Sequence, residues 1–102
     1  MTQKEQEHHF SVLTNELGET ILAKGNDYAM PSDRLSNFKL AGTICGLSAE
    51  QQCLSLIATK VARLGVLFNS GKGPNNESIH DSVLDLAAYS ILLSMILHDK
   101  TA

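Results

Sequence analysis

The sequence ESIHDSVLDLAAYSILLSMILH, at positions 77–98, predicts a long helix that is apolar around most of its circumference. Three carboxylates, Glu77, Asp81 and Asp85, recur at every fourth residue and share one face, which Tyr89 continues. Like charges at this spacing repel each other by roughly 0.2–0.5 kcal/mol per pair. We therefore expect a compensating partner, either a cation such as Mg²⁺ held by these three acids or a lysine or arginine of the fold. An acidic face open to solvent is the remaining alternative.

The composition predicts one helix-rich globular domain over residues 1–102. Apolar residues make up 43% of the chain and it has only two prolines, which favours an all-α fold with its own core. We expect flexible ends at residues 1–6 and 99–102. The formal net charge of −3, from eight Lys and Arg against eleven Asp and Glu, provides no positive field for duplex nucleic acid. Recognition of DNA through its phosphates is therefore disfavoured.

The cysteines and the first residues predict an intracellular protein. Cys45 and Cys53 form neither a CxxC pair nor a disulfide framework, and the segment MTQKE lacks the basic and then apolar order of a signal peptide. Apolar runs near the C-terminus are broken by Asp85 and Tyr89, short of the roughly 20 residues that a membrane span needs. We expect a location in the bacterial cytoplasm, no membrane contact and two cysteines that serve as small core residues.

Hydrophobic periodicity predicts about four helices. Apolar residues at three- and four-residue steps mark the first helix over about residues 5–24, and Gly25 and Asn26 end it. A short connector leads to Ser32, which we expect to cap a shorter second helix. Gly46 is expected to end that helix.

A capping-box spacing predicts where the third helix starts. Ser48 and Gln51 have this spacing, and the helix runs to about Asn69. Residues 69–76 have the turn-forming composition of a surface loop, and the last helix covers about residues 77–98. The last helix is apolar nearly all round, and the other three helices of so short a chain are too few to cover it on all sides. We therefore expect part of it to pack against another copy in a symmetric homo-oligomer.

The junction between the first two helices carries side chains suited to a nucleotide. Tyr28 and Phe38 have rings that can stack on a base, and Asp27 and Asn37 can hydrogen-bond to a base or ribose. The alternative is that both rings fill the core and that Asp27 forms an Asx-type turn. The sequence leaves both interpretations open.

A set of short motifs gives the chain a resemblance to a known family. The set covers about residues 24–97 and consists of Lys24, Asp27, Tyr28, Asn37, Phe38, Lys60, Arg63, Glu77, Ser78, Asp81, Asp85 and Tyr89. With these residues the chain resembles the small helical domain of phages and bacteria called the nucleotide modification associated domain, which is related in style to the all-α, MazG-like nucleotide pyrophosphohydrolases. The resemblance implies a nucleotide-handling protein in which Asp81 and Asp85 belong to a Mg²⁺ or polar-ligand site.

A departure from the MazG-like pattern concerns the metal site. Those enzymes place an acidic pair on each of two helices and hold Mg²⁺ against the phosphates of the substrate. Here the only ExxE pair is Glu16 with Glu19, in the first helix and far in sequence from the acidic row of the last. A bundle can still bring this pair together with Glu77, Asp81 and Asp85. If the pair faces water instead, the metal centre is incomplete.

The remaining chemistry-bearing residues give no further site. The chain shows no Ser, Cys or His arrangement for covalent catalysis and no ligand spacing for zinc. His80 is expected to point away from Asp81, because consecutive residues of a helix differ in direction by about 100°. We therefore assign no catalytic residue.

Three functions fit these residues. The first is capture, without turnover, of a nucleotide or nucleotide-derived signal, by which a phage would sequester a host defence signal. Its phosphates would bind Lys60 and Arg63, its base Tyr28 or Phe38, and its ribose Asp81 or Asp85. The second is Mg²⁺-dependent nucleotide pyrophosphohydrolysis. The third is a structural bundle in which the acids pair with lysine and arginine across an interface.

Overall fold

The computed structural model describes residues 1–27, 29–71 and 73–101, without the side chains of Lys24 and Thr101. Within these ranges the chain is all-α, as predicted. Its α-helices are α1 (Gln3–Gly18), α2 (Ser36–Cys45), α3 (Ala49–Asn69) and α4 (Glu77–Thr101). A π-helical turn, Glu19–Ala23, and a 3₁₀ turn, Lys24–Asp27, continue α1.

The α3–α4 pair forms the centre of the molecule. α2 packs against α3, whereas α1 and its π-helical turn contact α4 and no other α-helix among the described residues. The core cluster joins α2, α3 and α4 and consists of Leu35, Phe38, Cys53 and Ile96. In α1 no residue is buried. The radius of gyration of 15.5 Å exceeds the ~13 Å expected for a compact domain of this length, because α1 lies against one side only.

Three helix ends follow the capping chemistry in the sequence. The Ser48 hydroxyl accepts the N–H of Gln51 and the Gln51 amide oxygen accepts the N–H of Ser48, which completes the predicted capping box. Gly46 ends α2 in the left-handed conformation, with φ of 72°. At the start of α4, the Asn76 side-chain oxygen accepts the N–H of Ser78 at 3.0 Å.

The predicted cap of the second helix is wrong. α2 begins at Ser36 rather than directly after Ser32, and its N-cap position, Leu35, has no side-chain cap. The intervening turn is held instead by Asp33, whose carboxylate accepts the N–H of Leu35 at 3.0 Å and the ammonium of Lys39 at 2.7 Å. Because the Asp33 carboxylate also pairs with Lys39 of α2, Asp33 rather than Ser32 stabilises the turn before this helix.

The boundaries of the outer helices also differ from the prediction. The first α-helix ends at Gly18, the weakest helix former in its sequence, and passes into the π-helical turn instead of running to residue 24. α1 begins at Gln3 and α4 continues to Thr101, so helix extends into both terminal stretches predicted to be flexible. Of the two cysteines, Cys53 is buried as expected and Cys45 is exposed.

α4 is more exposed than its composition leads one to expect. Its described apolar side chains include four exposed ones, Val83, Ile91, Met95 and Leu97. The stretch Glu77–Lys100 contains an 18-residue window with a mean hydropathy of 1.4, and by length and composition it is long and apolar enough to cross a membrane, contrary to the expectation from sequence. The central helix of a soluble bundle meets the same measures, so this is weak evidence about location.

Replacement of Gly42 by alanine is expected to lower the free energy of unfolding by about 1–3 kcal/mol. A Cβ atom at Gly42 would lie 2.7 Å from the carbonyl oxygen of Leu47, and backbone at a helix–helix turn cannot move aside cheaply. Chemical denaturation followed by circular dichroism measures the change. Gly18→Ala is the control, since nothing lies within 4 Å of its Cβ position, and it should be neutral or gain about 0.5–1 kcal/mol. Equal effects of both variants would contradict the packing assignment.

Two exposed ion pairs fasten the C-terminal end of α4 and predict a loss of stability in acid. The Lys39 ammonium lowers the pKa of Asp33 and also contacts Asp99, and the Lys100 ammonium lowers the pKa of Glu50. A carboxyl whose pKa is lower in the folded state stabilises the fold above its ordinary pKa, and this contribution disappears as the pH falls through the lowered value.

Lys100→Met is therefore expected to weaken the dependence of unfolding free energy on pH below about pH 4.5, the ordinary range of a glutamate. Urea denaturation at a series of pH values measures this slope. Lys4→Met is the matched control, because Lys4 forms no ion pair within the described part of the chain. Identical slopes for both variants would show that the Glu50 pair does not contribute.

Candidate functional site

An open cleft of about 610 Å³ lies between the end of α1, the π-helical turn and the first half of α4. Its lining consists of Glu16, Glu19, Thr20, His80, Asp81, Leu84 and Asp85. Four of these seven residues are acids. The structure thus brings the ExxE pair of the first helix to the same cleft as two members of the acidic row, an arrangement that the sequence left open.

The two sides of the cleft are built by different helical geometry. On α4, Asp81 and Asp85 are one helical turn apart and project to the same side. On the opposite side, Glu16 belongs to the last turn of α1, whereas Glu19 and Thr20 belong to the π-helical turn. The wider π turn changes the direction of the side chains that follow it, and such turns are frequent at functional sites.

Arg34 holds the π-helical turn and the 3₁₀ turn in place. Its guanidinium donates to the side-chain oxygen of Asn26 at 2.7 Å and to the carbonyl oxygen of Leu22 at 3.1 Å. Gly25 makes room for this side chain, since a Cβ atom there would lie 2.7 Å from Nη2 of Arg34. Arg34 thereby fixes the segment that carries Glu19 relative to the start of α2.

The compensating partner predicted for the acidic row is present for Asp85. Nζ of Lys60 on α3 lies 2.9 Å from Oδ2 of Asp85, and the Lys60 side chain is only 22% exposed. Within the described residues, Asp81 and Glu19 form no ion pair, and Glu16 faces the imidazole of His80 rather than a lysine or arginine. One lysine therefore balances one of the four carboxylates.

The predicted direction of His80 is wrong. His80 lines the same cleft as Asp81, and its Nε2 lies 3.8 Å from Oε2 of Glu16. The cleft covers a wider sector of α4 than the single stripe of residues 77, 81 and 85, because both α1 and the π-helical turn border it. For His80 and Thr20, the one signal in the sequence is their position next to acids.

Several predicted site residues lie away from the cleft lining. Glu77 is exposed in the first turn of α4, where the helix dipole favours an acid, and Arg63 is exposed on α3. Asp27 and Asn37 are also exposed and do not line the cleft. Glu77 thus does not line the cleft with the two aspartates with which it was expected to hold a metal ion.

Two of the three aromatic residues of the predicted site, Phe38 and Tyr89, belong to the core region. Phe38 is 6% exposed in the core cluster, which agrees with the core-filling alternative and leaves its ring no face for a base. Tyr89 packs against the same cluster, and its carbonyl oxygen accepts a hydrogen bond from Sγ of Cys53 at 3.3 Å. The predictions for Tyr28 and for the Lys24 side chain lie outside the described residues.

The donor set of the cleft suits a hard cation that retains water. Among the described residues, no group of three or more His, Cys, Asp or Glu side chains is arranged to bind a metal ion directly. Mg²⁺ dehydrates reluctantly and is commonly held by one or two carboxylates, several waters and the phosphates of a substrate. Carboxylates on facing sides of a cleft therefore fit a cation that arrives together with a phosphorylated ligand.

Comparison with protein-family models, with curated proteins and with solved structures gives no match to this chain. The family resemblance therefore stays a prediction, and function has to be argued from the cleft.

The Lys60–Asp85 pair is expected to contribute about 0.5–1 kcal/mol to stability, since both side chains are partly shielded from water. A double-mutant cycle of Lys60→Met and Asp85→Asn, measured by urea denaturation, gives this coupling energy directly. Asp81→Asn is the matched control one turn earlier. It should leave stability unchanged or raise it, because it relieves repulsion without removing an ion pair. A coupling energy of zero would contradict the assignment.

Proposed function

We propose that this chain binds a nucleotide or a nucleotide-derived signal, with the phosphates held in the acidic cleft through Mg²⁺. The observation that carries the proposal is the meeting of Glu16 and Glu19 with Asp81 and Asp85 across one cleft. Two unit charges 4 Å apart repel by about 1 kcal/mol in bulk water and by more where water is partly excluded. Four carboxylates with one lysine beside them therefore favour a bound cation.

A cation bound by the cleft acids would in turn attract the phosphates of a ligand. A divalent ion bound by acids on both sides of an open cleft keeps coordination positions that phosphate oxygens fill. Lys60, which pairs with Asp85, is placed to contact a phosphate once the metal ion takes over this carboxylate. Arg63, three residues further along α3, is a second candidate for phosphate contact.

The size of the cleft fits a nucleotide. Ligand sites commonly enclose about 300–1,000 Å³, and the cleft measures about 610 Å³. Thr20 offers a hydroxyl for hydrogen bonds to the ribose and Leu84 an apolar surface. With Phe38 in the core, base recognition falls to other groups, among which Asp27 and Asn37 are exposed.

Capture without turnover is the main form of the proposal. His80 is the one general base candidate in the lining besides the carboxylates, and it lies beside Glu16 rather than between the two acidic pairs. A phage would use a protein of this kind to sequester a host defence signal. The assembly would be a homo-oligomer in the cytoplasm.

Mg²⁺-dependent nucleotide pyrophosphohydrolysis is the second candidate. The specific observation in its favour is that acids from two separate helical segments face one cleft, as in the MazG-like pattern that the chain resembles. In that case the metal ion would activate a water for attack on a phosphoanhydride, and Lys60 would offset the developing charge. The two candidates share the site and differ in whether the ligand survives.

The purified protein should be incubated with nucleoside triphosphates, cyclic dinucleotides and cyclic ADP-ribose-type molecules, with and without Mg²⁺. Mass spectrometry of the material released by heat then identifies the ligand. Intact ligand retained only with Mg²⁺ supports capture, and a shortened product supports hydrolysis. Retention of nothing from the panel, or retention unaffected by chelation of Mg²⁺, would contradict the proposal.

Asp81→Asn is expected to weaken binding at least tenfold, which corresponds to about 1.4 kcal/mol, because it removes a carboxylate that would bind the cation. Asp81 forms no ion pair within the described residues, so the substitution breaks no salt bridge. Glu77→Gln is the matched control: it neutralises an acid of the same helix that lies outside the cleft. Calorimetric titration of the retained ligand measures both. Equal loss in the two variants would place the ligand elsewhere.

A further inference from the structure

α3 carries an apolar row on its outer side, which we call the α3 stripe. It consists of Leu54, Ala58, Val61, Gly65 and Phe68, all of them exposed. Their spacing of four, three, four and three residues is the heptad spacing at which two helices pack together along a seam. The stripe is separate from the core side of α3, which carries Cys53 and Leu64.

Apart from Glu50, one turn before Leu54, the neighbours of the α3 stripe carry no charge. α3 has 21 residues, and only Glu50, Lys60 and Arg63 among them are charged. Exposed residues beside the stripe are neutral, namely Gln51, Ser55, Ala62, Val66 and Asn69. A helix face that meets water normally carries charged side chains, whereas depletion of charge is typical of the centre of a protein interface.

The accessible surface of the chain is larger than that of a self-sufficient monomer. It measures 7215 Å², whereas a folded monomer of 11.0 kDa is expected to expose about 5,600 Å². The excess of about 1,600 Å² is more than the ~800 Å² that one partner covers in an interface of standard size. The chain therefore has enough excess surface for one stable interface between copies or more.

We propose that the α3 stripe packs against the α3 stripe of a second copy, with the two helices antiparallel about a two-fold axis. Large and small residues alternate along the stripe. Of the two contact positions in each seven-residue repeat, one carries the large residues Leu54, Val61 and Phe68 and the other the small residues Ala58 and Gly65. Antiparallel helices bring these two positions opposite each other in every layer, so Leu54 and Val61 each meet a small side chain, while Phe68 meets Gln51. A parallel pair would set large against large and leave gaps at the small layers.

The register with the longest overlap of the two helices sets the layers. It places Leu54 opposite Gly65 of the second copy and Ala58 opposite Val61 of the second copy. The low charge of this face, whose one acid, Glu50, is paired with Lys100, reduces the repulsion that two chains of net charge −3 would otherwise meet. α1 of a second copy is the competing occupant, since α1 buries no residue of its own, but it carries three acids, Glu5, Glu7 and Glu16, that the α3 stripe has no positive charge to balance.

Val61→Glu tests the surface itself. The wild-type chain is expected to form a dimer or a multiple of one, and the variant should show at most half of the wild-type mass in size-exclusion chromatography with light scattering. Thr59→Glu, which introduces the same charge on another side of α3, should keep the wild-type mass. Val61 is exposed in the single chain, so circular dichroism should show a folded variant. A monomeric wild type, or equal masses for wild type and Val61→Glu, overturns the proposal.

Disulfide cross-linking tests the direction of the helices. In a Cys45→Ser background, a mixture of Ala58→Cys and Val61→Cys chains carrying tags of different size should yield the mixed disulfide under mild oxidation. Cross-linking of Val61→Cys to itself in preference to the mixed product indicates parallel helices and overturns the proposal. Dissociation by Val61→Glu without any cross-link shows that another segment, such as α1, covers the stripe, and this also overturns it. Both tests use ligand-free protein, so their outcome is independent of the proposed nucleotide site.

Discussion

The antiparallel contact between α3 and α4 is the constraint on which the other elements depend. Three contacts show its direction: Glu50 with Lys100, Cys53 with the carbonyl of Tyr89, and Lys60 with Asp85. Residue numbers that rise along α3 meet residue numbers that fall along α4. The middle contact is the driest part of the molecule, since Cys53 is fully buried and Ile96 nearby is 2% exposed. Hydrophobic burial at this contact sets the register of α3 against α4, and the two ion pairs form on either side of it.

This register explains why the acidic face of α4 becomes a cleft rather than a flat surface. Lys60 lies two turns beyond Cys53 and reaches Asp85 at one edge of the acidic row. The other edge is left to α1 and the π-helical turn, which contact α4 without burying a residue of α1. The acids on the two sides therefore line one cleft at a weakly packed boundary.

The sequence predicted what depends on local chemistry and missed what depends on tertiary competition. Helix periodicity, the Ser48 capping box and the four-residue acidic spacing act within one or two turns, so the helices and the shared face of Asp81 and Asp85 could be anticipated. The approach of Glu16 to the same cleft spans most of the chain and depends on how α1 docks. The burial of Phe38 was equally undecidable, because stacking and core filling require the same aromatic ring. Ser32 does not cap the second helix as predicted, because Asp33 holds the preceding turn and pairs with Lys39 as well.

The two cysteines stand in opposite surroundings, and burial raises the pKa of the Cys53 thiol whereas Cys45 is exposed. Thiolate is the form that reacts with disulfide reagents, so Cys45 is modified directly and Cys53 only when α3 and α4 separate. Modification of Cys53 at neutral pH then proceeds at a rate set by this local opening. The rate of Cys53 modification therefore measures how often α3 and α4 separate transiently. Modification of Cys45 in the same sample serves as the internal standard for reagent activity.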